Sequence, residues 1–218
     1  MKLSKVAAIV IMATTVLTAC GEKEQPKAST PKLVDNYESR LDIYKNVTLK
    51  ADLSHLSDNQ KQMLSLLIDA SKIMDDLFWK QAFGADKKKF LASISDEKIK
   101  QFSEINYGPW DRLDGDKVFL TGFETKTHGA EFYPHDMSKA EFEKANIGDK
   151  DGLYSVVPRD KNGQLTSIAY SEIYSDEINR AAAILEKAAT FADNKEFANY
   201  LTMRASALRS DDYQASDF

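Results

Sequence analysis

Between Ser57 and Gly84 the chain carries one long helical pattern, and no other stretch limits the possible folds as strongly. Ser57 and Gln60 form a Ser-x-x-Gln capping box, which satisfies two backbone donors at a helix start. Apolar side chains follow at Met63, Leu64, Leu67, Met74, Leu77 and Phe78, close to the 3.6-residue period. Leu66, Ile68, Ile73 and Trp79 widen the stripe, so this helix is expected to be buried on more than one side. Gly84 supplies the stop. Asp75 and Asp76 sit inside the pattern. Neighbouring helix positions point about 100° apart, so the two carboxylates cannot face each other, and they read as a polar strip toward water.

Shorter elements surround this helix. Helices are expected over Lys87–Ala92 and Asp96–Glu104, the second capped by Ser95. The run Lys87-Lys88-Lys89 reads as a solvated helix face. Val47-Thr48-Leu49 and Val118-Phe119-Leu120 have the character of short strands. Ser138 with Glu141 is a second capping box, opening a helix through Ala145. Leu153 to Tyr170 reads as a β-hairpin around the turn signal Asp160-Lys161-Asn162-Gly163, with Tyr154, Val156 and Val157 in one arm and Leu165, Ile168 and Tyr170 in the other. Two long helices close the chain. Ser175 is expected to cap the first, with the stripe Ile178, Ala182, Leu185, Ala189. Asp193 with Glu196 is expected to open the second, with the stripe Phe197, Leu201, Ala205, Leu208. Their short connector makes them an antiparallel pair. The fold class is therefore α+β, mostly helical, with a β-hairpin or small antiparallel sheet.

The 218 residues are 43% hydrophobic and 10% aromatic, enough for a sizeable core rather than a disordered chain. The net charge of −5 comes with no basic stripe, which argues against a nucleic-acid partner. The start of the chain has a different character. Lys2 and Lys5 precede an apolar run of 13 residues, Val6 to Thr18, too short to span a bilayer and of the length of a signal-peptide core. Leu17-Thr18-Ala19-Cys20 then resembles a bacterial lipobox, in which the cysteine is acylated and becomes the new N-terminus. Cys20 is the single cysteine, so no disulfide partner competes for it. The expected organisation is a lipoprotein signal peptide at 1–19, a polar tether at 20–36 and a folded region at 37–218. Several acyl chains make such an attachment effectively stable. Gly21, in place of an aspartate, favours the outer membrane of a bacterial envelope over the inner one.

No complete catalytic motif is present. The chain has no G-x-G-x-x-G, no Walker-type loop and no G-x-S-x-G elbow. His55, His128 and His135 do not form His-Glu-x-x-His. His128 and His135, with Glu131 and Asp136 nearby, read either as a loop metal site or as surface polar groups. Asp111, Asp114 and Asp116 suggest a calcium loop, but Leu113 and Asp116 occupy the third and sixth positions, where an EF-hand needs a ligand and a glycine. Asp114-Gly115 then reads as a turn, with Asp111 pairing with Arg112 or capping a backbone N–H.

Four stretches together resemble the bacterial branch of the dipeptidyl peptidase III family of zinc metallopeptidases. They are ADLSHLSDNQKQMLSLLIDASKIMDDLFWKQAFG (51–84), INYGPWDRLDGDKVFL (105–120), GAEFYPHDMSKAEFE (129–143) and MRASALRSDDYQASDF (203–218). The resemblance runs from about Tyr37 to Phe218. It implies part of one lobe of a longer, bilobal enzyme that removes dipeptides from the free N-termini of short peptides. Zinc in the cleft of that enzyme is held by a His-Glu-x-x-x-His helix and a further Glu, and the motif's Glu is the general base. This chain reaches Phe218 without such a motif, so no residue inherits a catalytic or zinc-ligand role and no cofactor is expected within it. Trp110 is expected as a packing residue at a structural corner of the lobe. The resemblance thus implies the N-terminal fragment of a lipid-anchored peptidase, inactive by itself, whose partners are the membrane, short peptides and the missing C-terminal lobe. The alternative is a non-catalytic lipoprotein module that binds peptides or a partner protein, or half of a split enzyme.

Overall fold

The computed structural model describes residues 30–218. The expected signal peptide, Cys20 and the first part of the tether lie outside the described residues.

Helix α1 (Asp58–Phe83) is the central element. Both halves of its capping box form: Ser57 Oγ accepts from Gln60 N at 3.1 Å, and Gln60 Oε1 accepts from Ser57 N at 3.0 Å. The helix ends at Gly84, whose φ of +75° is the left-handed conformation that favours glycine. A side chain there is strained by that φ, and a Cβ, 2.4 Å from the carboxyl carbon of Glu131, also requires that carboxylate to move aside.

The C-terminal end of α1 enters an aromatic core. Trp79 and Phe83 pack with Phe90 and Leu91 of α2 (Lys87–Ala92), Phe102 of α3 (Glu97–Asn106), and Tyr37, Ile94, Phe119 and Leu120. Phe83 and Phe90 meet at 4.5 Å between ring centroids, and Phe102 meets Phe119 edge-on at 4.9 Å. The cap of α3 is Asp96, not Ser95: its carboxylate accepts from Lys98 N and Ile99 N at 2.9 and 3.0 Å, the position from which a side chain reaches the first free donors. Beyond α3 the strands β1 (Trp110–Asp111) and β2 (Lys117–Val118) pair antiparallel, with Trp110 opposite Val118.

Two expectations for the N-terminal region change. Lys32–Val34, inside the stretch read as tether, is attached to the domain. Val34 N donates to Phe119 O at 2.9 Å, Thr121 N donates to Lys32 O at 2.8 Å, and Leu33 bridges Leu120. The strand expected at Val118–Leu120 is thus shared between two short partners. Val47–Leu49 pairs with no strand among the described residues and lies on the surface.

The second half is built on the other flank of α1. Helix α4 (Lys139–Lys144) is capped by Ser138, but Glu141 turns to Arg159 instead of closing the box. The expected hairpin is present in reduced form. β3 (Ser155–Val156) pairs with β4 (Ile168–Ala169), Arg159 bridges Leu165, and Gly163 turns the chain with φ +78°. The ladder stays short for two reasons. Pro158 has no N–H to contribute, and Tyr170 begins helix α5 (Tyr170–Ile173).

Helices α6 (Ser175–Ala189) and α7 (Lys195–Ser210) pack against each other, and α6 also packs along α1. Ala181, Ala182, Ala188 and Ala205 are fully buried here, and their small side chains let the helices approach closely. Ser175 is the first helical residue rather than a cap. Asn194 caps α7 by accepting from Phe197 N at 2.9 Å. Asp193, expected in that role, instead accepts from Ser57 Oγ at 3.0 Å and ties the starts of α1 and α7 together. A last turn, α8 (Gln214–Asp217), is held to α7 by the Arg204–Asp217 pair at 2.6 Å. The fold is α+β; the described residues are about half helical with two small two-stranded antiparallel sheets. Among the described residues no helix is long and apolar enough to cross a membrane.

Candidate functional site

The carboxylates of the 111–116 turn are all matched by cations. Asp111 is fully buried. Its Oδ2 accepts from Arg40 Nε at 2.9 Å and from the Tyr37 hydroxyl at 3.1 Å. Arg40 Nη2 lies 2.8 Å from the same oxygen without hydrogen-bond alignment. Oδ1 accepts from Leu113 N at 3.0 Å, so the backbone cap forms. The expected partner Arg112 is elsewhere: its guanidinium lies 5.4 Å from the Phe78 ring and 5.8 Å from the Tyr107 ring, a cation–π arrangement at the surface. Asp114 pairs with Lys117 at 3.0 Å and Asp116 with Lys126 at 3.2 Å. Burial, then the hydrogen bond and charge of Asp111, push the Tyr37 hydroxyl up to about 12. The hydrogen bond from Lys117 holds Asp114 below the usual carboxylate range. Three carboxylates committed to three cations and a backbone turn do not offer a calcium cage.

Asp75 and Asp76 are not a bare solvated strip. Lys87 donates to both, at 3.1 and 3.0 Å, and its Nζ lies 5.3 Å from the Trp79 ring, so the first residue of the lysine run is engaged. The Tyr107 hydroxyl donates to Asp75 at 2.6 Å. Burial opposes ionisation of Asp75, but the hydrogen bonds from Tyr107 and Lys87 outweigh it and hold the carboxyl low.

The most chemically varied corner lies where Trp110 meets the 124–135 loop. It is a hollow of about 140 Å³ lined by Ala82, Trp110, Lys126, Thr127, Glu131 and His135. Trp110 is fixed from two sides. Its Nε1 donates to Glu124 O at 2.9 Å, and Phe83 meets its ring edge-on at 5.9 Å, as expected of a packing residue. Glu131 Oε1 lies 3.1 Å from His135 Nε2. His128 faces an adjoining hollow with Asp116 and Phe132, while His55 is exposed far away in sequence. Asp136, the remaining acid of this loop, belongs to Arg159, which also holds Glu141 through two bonds of 2.7 and 3.0 Å. Those bonds hold Asp136 and Glu141 low.

The hollow has an aromatic wall, one lysine and one imidazole–carboxylate pair, which suits a small polar group. No three His, Cys, Asp or Glu side chains gather to hold a metal ion among the described residues. The residues present therefore do not fit a zinc centre. Sequence reasoning missed Arg40, Tyr37 and Lys87. Arg40 is 71 positions from Asp111, and no local pattern links them.

The fold has known counterparts. Dipeptidyl peptidase III from Caldithrix abyssi superposes with a TM-score of 0.73 and 37% identity over 80% of this chain and 35% of that one. Dipeptidyl peptidase III from Corallococcus sp. strain EGB gives 0.74 and 30% over 79% and 34%. By sequence the chain is 30% identical over 241 residues to Nudix hydrolase 3 of Arabidopsis thaliana, covering 83% of this chain and 31% of that protein. No protein-family model matches. The chain spans about a third of the length of each of these relatives.

Proposed function

We propose that residues 37–218 are the N-terminal part of a lipid-anchored, dipeptidyl peptidase III-like zinc peptidase that releases dipeptides from peptide N-termini. In this reading the stretch scaffolds one lobe and has no hydrolytic activity by itself. The observation that carries it is the match to two bacterial dipeptidyl peptidase III structures at 30% identity or more, spread over four-fifths of this chain but only a third of theirs. The ion pairs are in keeping with it: Asp111, Asp75, Asp114, Asp116 and Asp136 are paired with Arg40, Lys87, Lys117, Lys126 and Arg159. Zinc would be held by residues beyond these, and no step is assigned to the residues described. Attachment to a bacterial envelope, at the outer membrane, would run through Cys20.

The test is release of a dipeptidyl arylamide reporter by purified residues 21–218, with and without added zinc. No turnover above the buffer rate is expected; zinc-dependent turnover overturns the reading. Attachment is tested separately by detergent phase partition. The native protein is expected in the detergent phase and a Cys20→Ser variant in the aqueous phase. A variant that partitions like the native protein contradicts acylation at Cys20.

A further inference from the structure

The surface stretch 46–53 has a property that its surroundings do not use. Its sequence, Asn-Val-Thr-Leu-Lys-Ala-Asp-Leu, alternates without a break: Val47, Leu49, Ala51 and Leu53 are apolar, while Thr48, Lys50 and Asp52 are polar. That is the period of a half-buried β-strand. In the structure the apolar series is out in water, with Leu49 91% and Val47 75% exposed. Among the described residues no sheet partner lies along it and residues 46–52 make no backbone hydrogen bond. The stretch is nonetheless held at both ends. Tyr44 packs on Phe102 at 5.7 Å between ring centroids, and Ser57 is fixed by the α1 cap and by Asp193. An alternating segment with unpaired backbone and a bare apolar face is a template for strand addition.

We propose that residues 46–53 form a strand of a sheet completed by the remainder of the peptidase fold, and that this segment is a docking edge between the described part and that remainder. The inference rests on the peptidase reading above. The size of the partner follows from two observations. A single added strand satisfies the backbone but leaves Val47, Leu49 and Leu53 in water; burying them takes a strand together with a second apolar layer. The matched structures have the chain to supply both, since this region accounts for only 35% and 34% of their lengths. A short peptide ligand therefore fits the edge less well than the missing part of the fold.

The test compares hydrogen exchange of the peptide covering 45–53 in two samples. One is the 218-residue chain; the other is whichever longer native species an antibody to residues 40–210 captures from the source cells, assayed in parallel for dipeptidyl release. Exchange at least about 100-fold slower in the longer species supports the inference, because sheet amides open only with their cooperative unit. Equal exchange in a longer species that does release dipeptides overturns the docking edge and leaves the peptidase reading standing. Failure to find any longer species overturns that reading, and the inference with it. Protection that appears in the 218-residue chain only on raising its concentration assigns the edge to a second copy and overturns the proposal. As a second readout, Leu49→Lys is expected to leave the melting midpoint of the 218-residue chain unchanged and to lower that of the longer species. A drop in the short chain contradicts the exposed strand.

Discussion

Asp111 joins the N-terminal segment to the turn at 111–116, and its removal is the sharpest single-residue prediction. Asp111→Ala leaves Leu113 N–H without its acceptor, Arg40 without its counter-ion and the Tyr37 hydroxyl with only a long 3.5 Å contact to Asp114. Arg40 keeps some solvent, with 31% of its side chain exposed, so the cost is set below that of a fully buried pair: about 2–3 kcal/mol, read by denaturant unfolding. Tyr37 adds a pH signature. Its hydroxyl is raised from 10.0 to about 12, so the folded state holds the proton more tightly than the unfolded one. The stability this confers is fully present below pH 10 and is lost as pH rises toward 12. Tyr170 is also raised to about 12, so some alkaline loss persists in any Tyr37 variant. Thermal melts between pH 9 and 12 are expected to show a smaller loss for Tyr37→Phe than for the native chain; equal slopes contradict the assignment. Gly84→Ala tests both the left-handed φ and the approach of Glu131, and is expected to cost at least about 1–2 kcal/mol.

At the level of elements, α1 was legible because all of its signals are local. Ser57 and Gln60 are three residues apart, the stripe repeats within turns, and Gly84 marks the end. The Asn-Gly turn and the antiparallel α6–α7 pair follow from patterns equally close in sequence. Caps were read less well, because adjacent Ser, Asp and Asn residues are interchangeable as acceptors and only the entry angle of the chain chooses among them. Asp96 displaced Ser95 and Asn194 displaced Asp193 for this reason. The ion pairs could not be read at all: Arg40–Asp111, Lys87–Asp75 and Lys80–Glu177 join side chains brought together by packing rather than by spacing. Two substitutions test the element account. Ser57→Ala removes the α1 cap and its bond to Asp193, for about 1 kcal/mol and a melting shift of roughly 2–4 °C. Ala182→Leu forces extra volume into the closed α1–α6–α7 contact and is expected to cost about 1–3 kcal/mol by the same melts. A neutral result there contradicts the tight packing.

For the whole molecule, the described residues supply an aromatic core, a three-helix layer and an unpaired strand-like edge, and no three His, Cys, Asp or Glu side chains gather among them to hold a metal ion. The same view accounts for the turn at 105–120. Trp110 and Asp111 are used inward, on Phe83 and Arg40, so the stretch turns a corner beside the hollow. The measurement that tests this most directly is the size of the native protein in its source cells, by immunoblot with an antibody raised to residues 40–210. The account predicts a band several-fold larger than the 24.5 kDa of this chain. A single band at about that mass contradicts it and favours a binding module or one half of a split enzyme.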